Sequence, residues 1–229
     1  MELYGQNNSS IPQKITIHIL EIFLLWLSFW ILFQSGGSWI ENALHIHNST
    51  QHNERRIILF AFSVITFFRF AYMMIKLLKR AIPWEESFSV PFAFALYFVG
   101  FSLFILPTSM PFDFMDGFGV ILFIFGGVLN TGSEILRNKW KKIPENKGKI
   151  YTEGLFRYSR HINYFGDLLW VSAYAIITRN WYSVSIPIFL FCLFAFYNAP
   201  MLDKYLKEKY GKDYDAYAAK TKMLIPFIY

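Results

Sequence analysis

Six stretches of this chain approach the length and apolarity of a membrane-crossing helix, and nothing constrains its fold more. They are Ile15–Gln34, Ile57–Leu78, Phe88–Pro107, Gly117–Leu136, Tyr164–Thr178 and Tyr182–Met201. A spanning helix needs roughly 20 mainly apolar residues. The fifth stretch is shorter, which predicts a helix with little tilt or one arm of a tight hairpin with the sixth. Only 17% of the residues are charged, while 55% are hydrophobic; ordinary soluble domains carry about 25% charge. A water-soluble sphere of this size would lack the polar residues to cover itself. The expected fold is all-α, a polytopic membrane protein of about six transmembrane helices, with five to seven compatible with the pattern.

Charge sets the expected orientation. Between Asn138 and Asn163 stand seven Lys or Arg against two Glu, "KLLKR" closes the second stretch, and the tail after Met201 is rich in lysine. The loop "TSMPFDFMDG" carries Asp113 and Asp116 and no base. Under the positive-inside rule the basic segments and both termini face the cytoplasm, and six spans satisfy this. The start, "MELYGQNNSSIPQK", has no basic lead into an apolar core and a small-residue cleavage site, so the first apolar segment is expected to stay in the mature protein. The whole chain, 1–229, reads as one integral membrane domain. The single Cys192 lies within the last stretch and forms no intrachain disulfide. The sequons at Asn7 and Asn48 are three-residue matches that carry little weight.

Ionisable side chains inside a bilayer are costly unless paired or hydrated. His18 and Glu21 lie about one turn apart and can bond each other. Lys76 sits near a helix end, where it can snorkel. Arg69, in the middle of "ITFFRFAYMMIK", needs a carboxylate such as Glu134 or Glu21, a carbonyl group, water or a bound anion. Asn130 and Glu134 are spaced i, i+4, and so are Asn163 and Asp167, with Tyr164 between the latter two. Gly166 removes a side chain and admits another backbone or a flat ligand. One such pair reads as helix-packing polarity. Two pairs at one expected membrane depth, flanked by Arg157, Arg160 and His161, read as a site. Cationic groups at a helix start, where backbone N–H groups already favour anions, suit a phosphate- or carboxylate-bearing cofactor. The polar groups below them suit a lipid-like substrate.

Several kinds of machinery are absent. No G-x-G-x-x-G follows a strand, and there is no Walker loop or G-x-S-x-G elbow. His45, His47 and His52 lack the Cys or carboxylate partners of a metal site. Partners are therefore expected to be the bilayer and a small lipid, with no nucleic acid and no metal.

The segment "NTGSEILRNKWKKIPENKGKIYTEGLFRYSRHINYFGDLLW" resembles the C-terminal region of the steroid 5-alpha-reductase family, in the branch with a "GLWRYSRHPNYFGE" signature. The ending "LDKYLKEKYGKDYDAYAAKTKMLIPFIY" and the earlier "RFAYMMIKLLKRAIPWEESFSV" are also similar to that family. The resemblance covers roughly Arg69 to Tyr229, leaving 1–68 with little recognisable motif. The wider superfamily includes sterol reductases using NADPH and isoprenylcysteine carboxyl methyltransferases using S-adenosylmethionine.

The resemblance implies cofactor contacts from Asn130, Glu134, Tyr151, Arg160, His161, Asn163, Tyr164, Asp167 and Tyr205, and from Asp203 at a position usually held by Glu. Arg157 and its basic neighbours would hold phosphates. Ile162 replaces the family's usual proline, and Asp167 replaces Glu. Tyr197 and Met201 stand where animal steroid reductases have an Arg and a His, so those roles are not carried over. The expected function is an NADPH-dependent reductase of an activated C=C bond in a steroid-like or other lipid, with a cytoplasmic cofactor pocket and a short amphipathic C-terminal helical segment. Tyr72, Glu85 or Glu86 would polarise a carbonyl, and Arg69 would meet substrate or an anion. Two alternatives stay open: an S-adenosylmethionine-dependent methyltransferase of a lipid or prenylcysteine carboxylate, and a non-enzymatic lipid-binding protein.

Overall fold

The structure is a computed structural model that describes residues 9–46 and 53–229. His47, His52 and the sequon asparagines lie outside the described residues. The chain forms two compact units, residues 1–121 with 171–186 and residues 122–170 with 187–229. Among the described residues the regular elements are helical: α1 (Ile11–Phe33), α2 (Ser35–Ala43), α3 (Asn53–Tyr72), α4 (Glu86–Ala95), α5 (Phe101–Phe104), α6 (Phe114–Gly127), α7 (Ser133–Lys141), α8 (Ile162–Thr178), α9 (Ser185–Leu193), α10 (Ala199–Tyr210) and α11 (Lys212–Lys220). Wider, π-helical turns occupy Met73–Leu77, Leu96–Gly100, Val128–Gly132 and Phe194–Asn198.

Five continuous helical runs are long and apolar enough to cross a membrane: Ile11–Phe33, Asn53–Leu77, Glu86–Phe104, Phe114–Lys141 and Trp181–Tyr210. Only 28–39% of each apolar window is buried, so most of this surface needs hydrocarbon rather than water around it. The chain is a polytopic membrane protein. The sixth apolar stretch is α8, whose 17 residues span about 26 Å, just short of a typical ~30 Å hydrocarbon core. A turn at Trp181–Val184 follows it closely, capped by Asn180, whose Oδ1 accepts from Tyr182 N–H at 3.0 Å.

In the first unit, the core gathers Leu59, Phe98, Phe101, Tyr174 and Ile177, each fully buried. The Tyr174 ring stacks on Phe101 at 5.1 Å and meets Phe62 edge-on at 5.3 Å. Its hydroxyl lies 3.4 Å from both Ser63 and Thr66 hydroxyls. Apolar rings thus pack around a small polar knot that answers the buried Tyr174 phenol. Arg55 and Asp116, 1% and 0% exposed as side chains, form a two-bonded pair at 2.8 Å each. Arg55 also donates to the carbonyls of Met110 and Pro111 at 2.7 Å. The acidic loop that looked free of base in the sequence is thus tied down by this arginine and by Arg179, which pairs with Asp113.

In the second unit, Leu129, Tyr151, Phe156 and Ile162 form the core, with Trp140, Leu155, Phe165 and Leu169 packed against it. α6 and α8 cross where Gly126 meets Gly166. A Cβ on Gly166 would lie 2.5 Å from Asn130 N and 2.7 Å from Gly126 O. Only the missing side chains allow this approach. α10 ends at Gly211, whose φ of +55° an L-residue with a side chain rarely adopts, and α11 follows at once. The amphipathic C-terminal segment of the sequence reading is this α10–α11 pair.

Candidate functional site

All eleven residues expected to touch a cofactor fall in the second unit, and the α6–α8 crossing sets their arrangement. Asn130 lies in the wide turn after α6, so its side chain reaches α8 and donates to Asn163 O at 3.2 Å. One turn on, Glu134 in α7 accepts from Asn163 Nδ2 at 3.0 Å and pairs with Arg137. Asn130, Glu134 and Asn163 therefore form one cross-helix polar knot. Asp167 Oδ1 accepts from Trp170 Nε1 at 2.8 Å within α8.

A second cluster ties the start of α8 to α10 and the C-terminal tail. Arg160 donates to Asp203 through Nη2 at 2.8 Å and through Nε at 3.2 Å. Its Nη1 donates to the carbonyls of Ala218 and Thr221. Asp203 Oδ1 also lies 2.8 Å from His161 Nε2. The backbone N–H groups of Arg160 and His161 donate to Lys222 O and Met223 O at 2.9 and 3.0 Å. The Ser159 hydroxyl donates to Leu224 O at 2.8 Å. Burial alone would weaken the Arg160 charge, but the Asp203 bond and charge outweigh it and raise its pKa. Burial raises the Tyr214 phenol as well, and Asp203 adds to that shift. With its guanidinium engaged on three partners, Arg160 acts as a clamp on the tail.

From this cluster an aromatic stack runs His161–Tyr164–Phe194, with centroids 5.3 and 4.5 Å apart and planes within 13°. Tyr151 is buried against Trp140 and Phe156, and burial raises its pKa. Tyr205 takes a bond from Lys209 at 3.2 Å, and exposed Arg157 lies over the Tyr158 ring.

A narrow cleft of about 50 Å³ opens between these groups, enough for a few water-sized groups. Arg137, Lys141 and Arg160 line it, with Tyr151, Asn163, Leu202, Leu206 and Tyr217, and no lining residue is a carboxylate. Arg137 and Tyr217 escaped the sequence reading. Both sit in motif segments quoted for the resemblance, but neither has a spacing signal of its own. Tyr217 donates to Phe156 O at 2.6 Å, and Arg137 covers the Phe156 ring at 5.3 Å.

The remaining candidates lie in the first unit. Glu86 is held by Arg80 through two bonds of 2.9 and 2.7 Å. Glu85 is exposed, and Tyr72 is 44% exposed. Arg69 lies within electrostatic reach of Tyr174. Glu21 pairs with His18 at 3.0 Å, and Glu134 pairs with Arg137.

A family model described as "Protein of unknown function (DUF1295)" matches residues 68–221, roughly two thirds of the chain. The chain belongs to this family. It is the steroid 5-alpha-reductase-like family, and the DUF1295 match covers the cleft and both clusters apart from the tail carbonyls of Lys222, Met223 and Leu224. Three curated relatives align with this DUF1295 protein. A probable O-methyltransferase ustE of Ustilaginoidea virens is 39% identical over 40% of this chain and 32% of its own length. The 3-oxo-5-alpha-steroid 4-dehydrogenase 2 of Rattus norvegicus is 33% identical over 51% of this chain and 44% of its own. A probable protein-S-isoprenylcysteine O-methyltransferase of Oryza sativa subsp. indica is 25% identical over 54% of this chain and 68% of its own. The DUF1295 chain thus spans less than half the length of the first two.

Proposed function

We propose that this protein is a membrane-embedded reductase that adds a hydride and a proton across a C=C bond conjugated to a carbonyl in a lipid, with NADPH as its reductant. The observation that carries this reading is the cleft lined by Arg137, Lys141 and Arg160 with no carboxylate among its lining residues. Arg137 and Arg160 are paired with Glu134 and Asp203, so Lys141 supplies the surplus positive charge, which attracts phosphate and disfavours the sulfonium and ammonium charges of S-adenosylmethionine. The donor set therefore fits a polyanionic cofactor. The cleft's size suits a phosphate-bearing end of it rather than the whole. NADPH supplies the hydride when bound.

The chain's own residues divide the remaining work. Lys141 and Arg137 bind phosphate charge, and Arg157 adds an exposed cation. Asn163, held by Glu134 and Asn130, presents fixed amide chemistry at the cleft wall. Arg160, His161 and Asp203 orient the start of α8 against the tail. Tyr72, Glu85 and Glu86 are the groups offered for polarising a substrate carbonyl.

A methyltransferase using S-adenosylmethionine is the second reading, favoured by the likeness to relatives named as methyltransferases. Equilibrium binding in detergent separates the two. NADPH should bind more tightly than S-adenosylmethionine, weaken as salt rises, and weaken again in Lys141→Gln. Tighter binding of S-adenosylmethionine would overturn the reductase reading.

A further inference from the structure

Within the first unit, α1 carries a polar constellation that the cofactor reading does not use. Lys14 and His18 stand one turn apart on the same helix face, and both line a cavity of about 640 Å³. That volume falls in the ~300–1,000 Å³ range of small-ligand sites. Ile11, Ile15, Ile75 and Leu78 form the apolar wall, and Lys79 supplies a second ammonium. Ile11, Ile15 and Ile75 are each more than half exposed, so this wall belongs to surface that meets lipid in a bilayer.

His18 is fixed in place. Its Nδ1 lies 3.0 Å from Glu21 Oε2, and its ring meets Phe67 and Phe70 edge-on at 5.9 and 6.3 Å. Glu21 is fully buried. His18 Nε2 and Glu21 Oε1 are both buried without a hydrogen-bond partner among the described residues. Most buried polar atoms are hydrogen-bonded, so this pair stands out on α1. Lys14 donates to Leu78 O at 3.2 Å, which keeps its ammonium at the cavity with further donors to spare. The wide turn Met73–Leu77 carries Ile75 and leads into Leu78, and such turns recur at functional sites.

We propose that this cavity binds a single-chain amphiphile ending in a carboxylate, of the long-chain fatty acid class. Two ammoniums line it, no carboxylate does among the described residues, and the buried Glu21 is engaged by His18. The site therefore carries surplus positive charge. A carboxylate answers the two ammoniums with a full charge, whereas an alcohol or ester head offers only neutral acceptors. The chain lies along Ile11, Ile15, Ile75 and Leu78, continuous with lipid. The volume accommodates one chain and its head in preference to a two-chain phospholipid. This inference does not depend on the reductase reading.

The test is equilibrium binding of radiolabelled oleate to the full-length protein in dodecyl maltoside micelles, with oleyl alcohol and a lysophosphatidate as competitors. Oleate should bind saturably, one per chain. Oleyl alcohol should compete at least tenfold more weakly. Lys14→Gln and Lys79→Gln should each weaken oleate binding by about tenfold, as loss of a charged hydrogen bond implies. Thermal melting monitors folding; if Lys14→Gln fails to fold, Lys79→Gln alone decides, since Lys79 is exposed. Uptake that never saturates, or equal binding of oleate and oleyl alcohol, would overturn the proposal. So would unchanged affinity in Lys79→Gln, or displacement by lysophosphatidate at lower concentration than by oleate, which would assign the head site to phosphate.

Discussion

Gly166→Ala tests whether the α6–α8 crossing builds the candidate site. The new Cβ would stand 2.5 Å from Asn130 N, 2.7 Å from Gly126 O and 3.0 Å from Asn130 Cα. All three are backbone atoms of a helical segment, so no side chain can swing aside. Restoring ordinary contact moves the two helices apart by roughly 1 Å, and overpacking of this kind costs about 1–3 kcal/mol. The better helix propensity of alanine returns only about 0.5–1 kcal/mol, so the net sign is destabilising. The same separation stretches the bond from Asn130 to Asn163 O, now 3.2 Å, and that from Asn163 to Glu134, now 3.0 Å. Both approach or pass the geometric limit of a hydrogen bond. The melting temperature in detergent should fall by a few degrees, and NADPH affinity should fall with it. Gly117→Ala is the control, because its Cβ would meet nothing within 4 Å; its melting temperature should hold or rise. Unchanged stability and unchanged affinity in Gly166→Ala would refute the reasoning, since helices that part freely cannot be what positions Asn163.

Asn163→Ala removes the side-chain amide that joins the start of α8 to Glu134, and cofactor affinity should drop about tenfold, the loss expected for a bond to a charged group. Asp167→Ala should instead cost about 1 kcal/mol of stability, through the Trp170 bond, with a smaller effect on cofactor affinity; equilibrium binding and melting on the two variants check the contrast. Arg160→Gln and Asp203→Asn should each destabilise by about 1.5–3 kcal/mol, and the double variant by less than their sum, as read by denaturant or thermal unfolding. Asp116→Asn should cost about 3–5 kcal/mol, because it strands the buried Arg55 charge; a melt indistinguishable from the parent would remove the pair from the account. Cysteine-accessibility labelling should reach both termini from the cytoplasmic side and Asp113 from the other; labelling of all three from one face would mean a different span count.

The helical spans were legible because a hydrocarbon solvent selects on a single bulk property, and a run of apolar residues displays it directly. The backbone approach at Gly166 was legible for a related reason, since a glycine amid large side chains marks a close contact, though not which backbone arrives. The i, i+4 pairs carried less. Spacing aligned Asn163 with Asp167, but Asn163 bonds across to Glu134 in α7 and Asp167 to Trp170 one turn on in its own helix, because shared direction does not decide which partner a side chain takes. Arg160 and Asp203 each carried a resemblance to cofactor-binding positions. Nothing in the sequence joined residues 43 positions apart, and their pairing depends on where α10 meets the start of α8. Arg137 was hidden among neighbouring bases that the orientation rule already explained.

The wide turn Val128–Gly132 holds one more residue than an α-helical turn would over the same rise. Removing a single residue there would let an ordinary α-turn fill the same rise, and the Ser133–Lys141 segment would keep its facing. Glu134 and Arg137 would stay turned toward Asn163 and Phe156. A one-residue deletion in the regular helix on either side would instead rotate everything beyond it by about 100° around the axis. The wide turn is thus the one register of this run at which chain length can change without re-aiming the residues that follow.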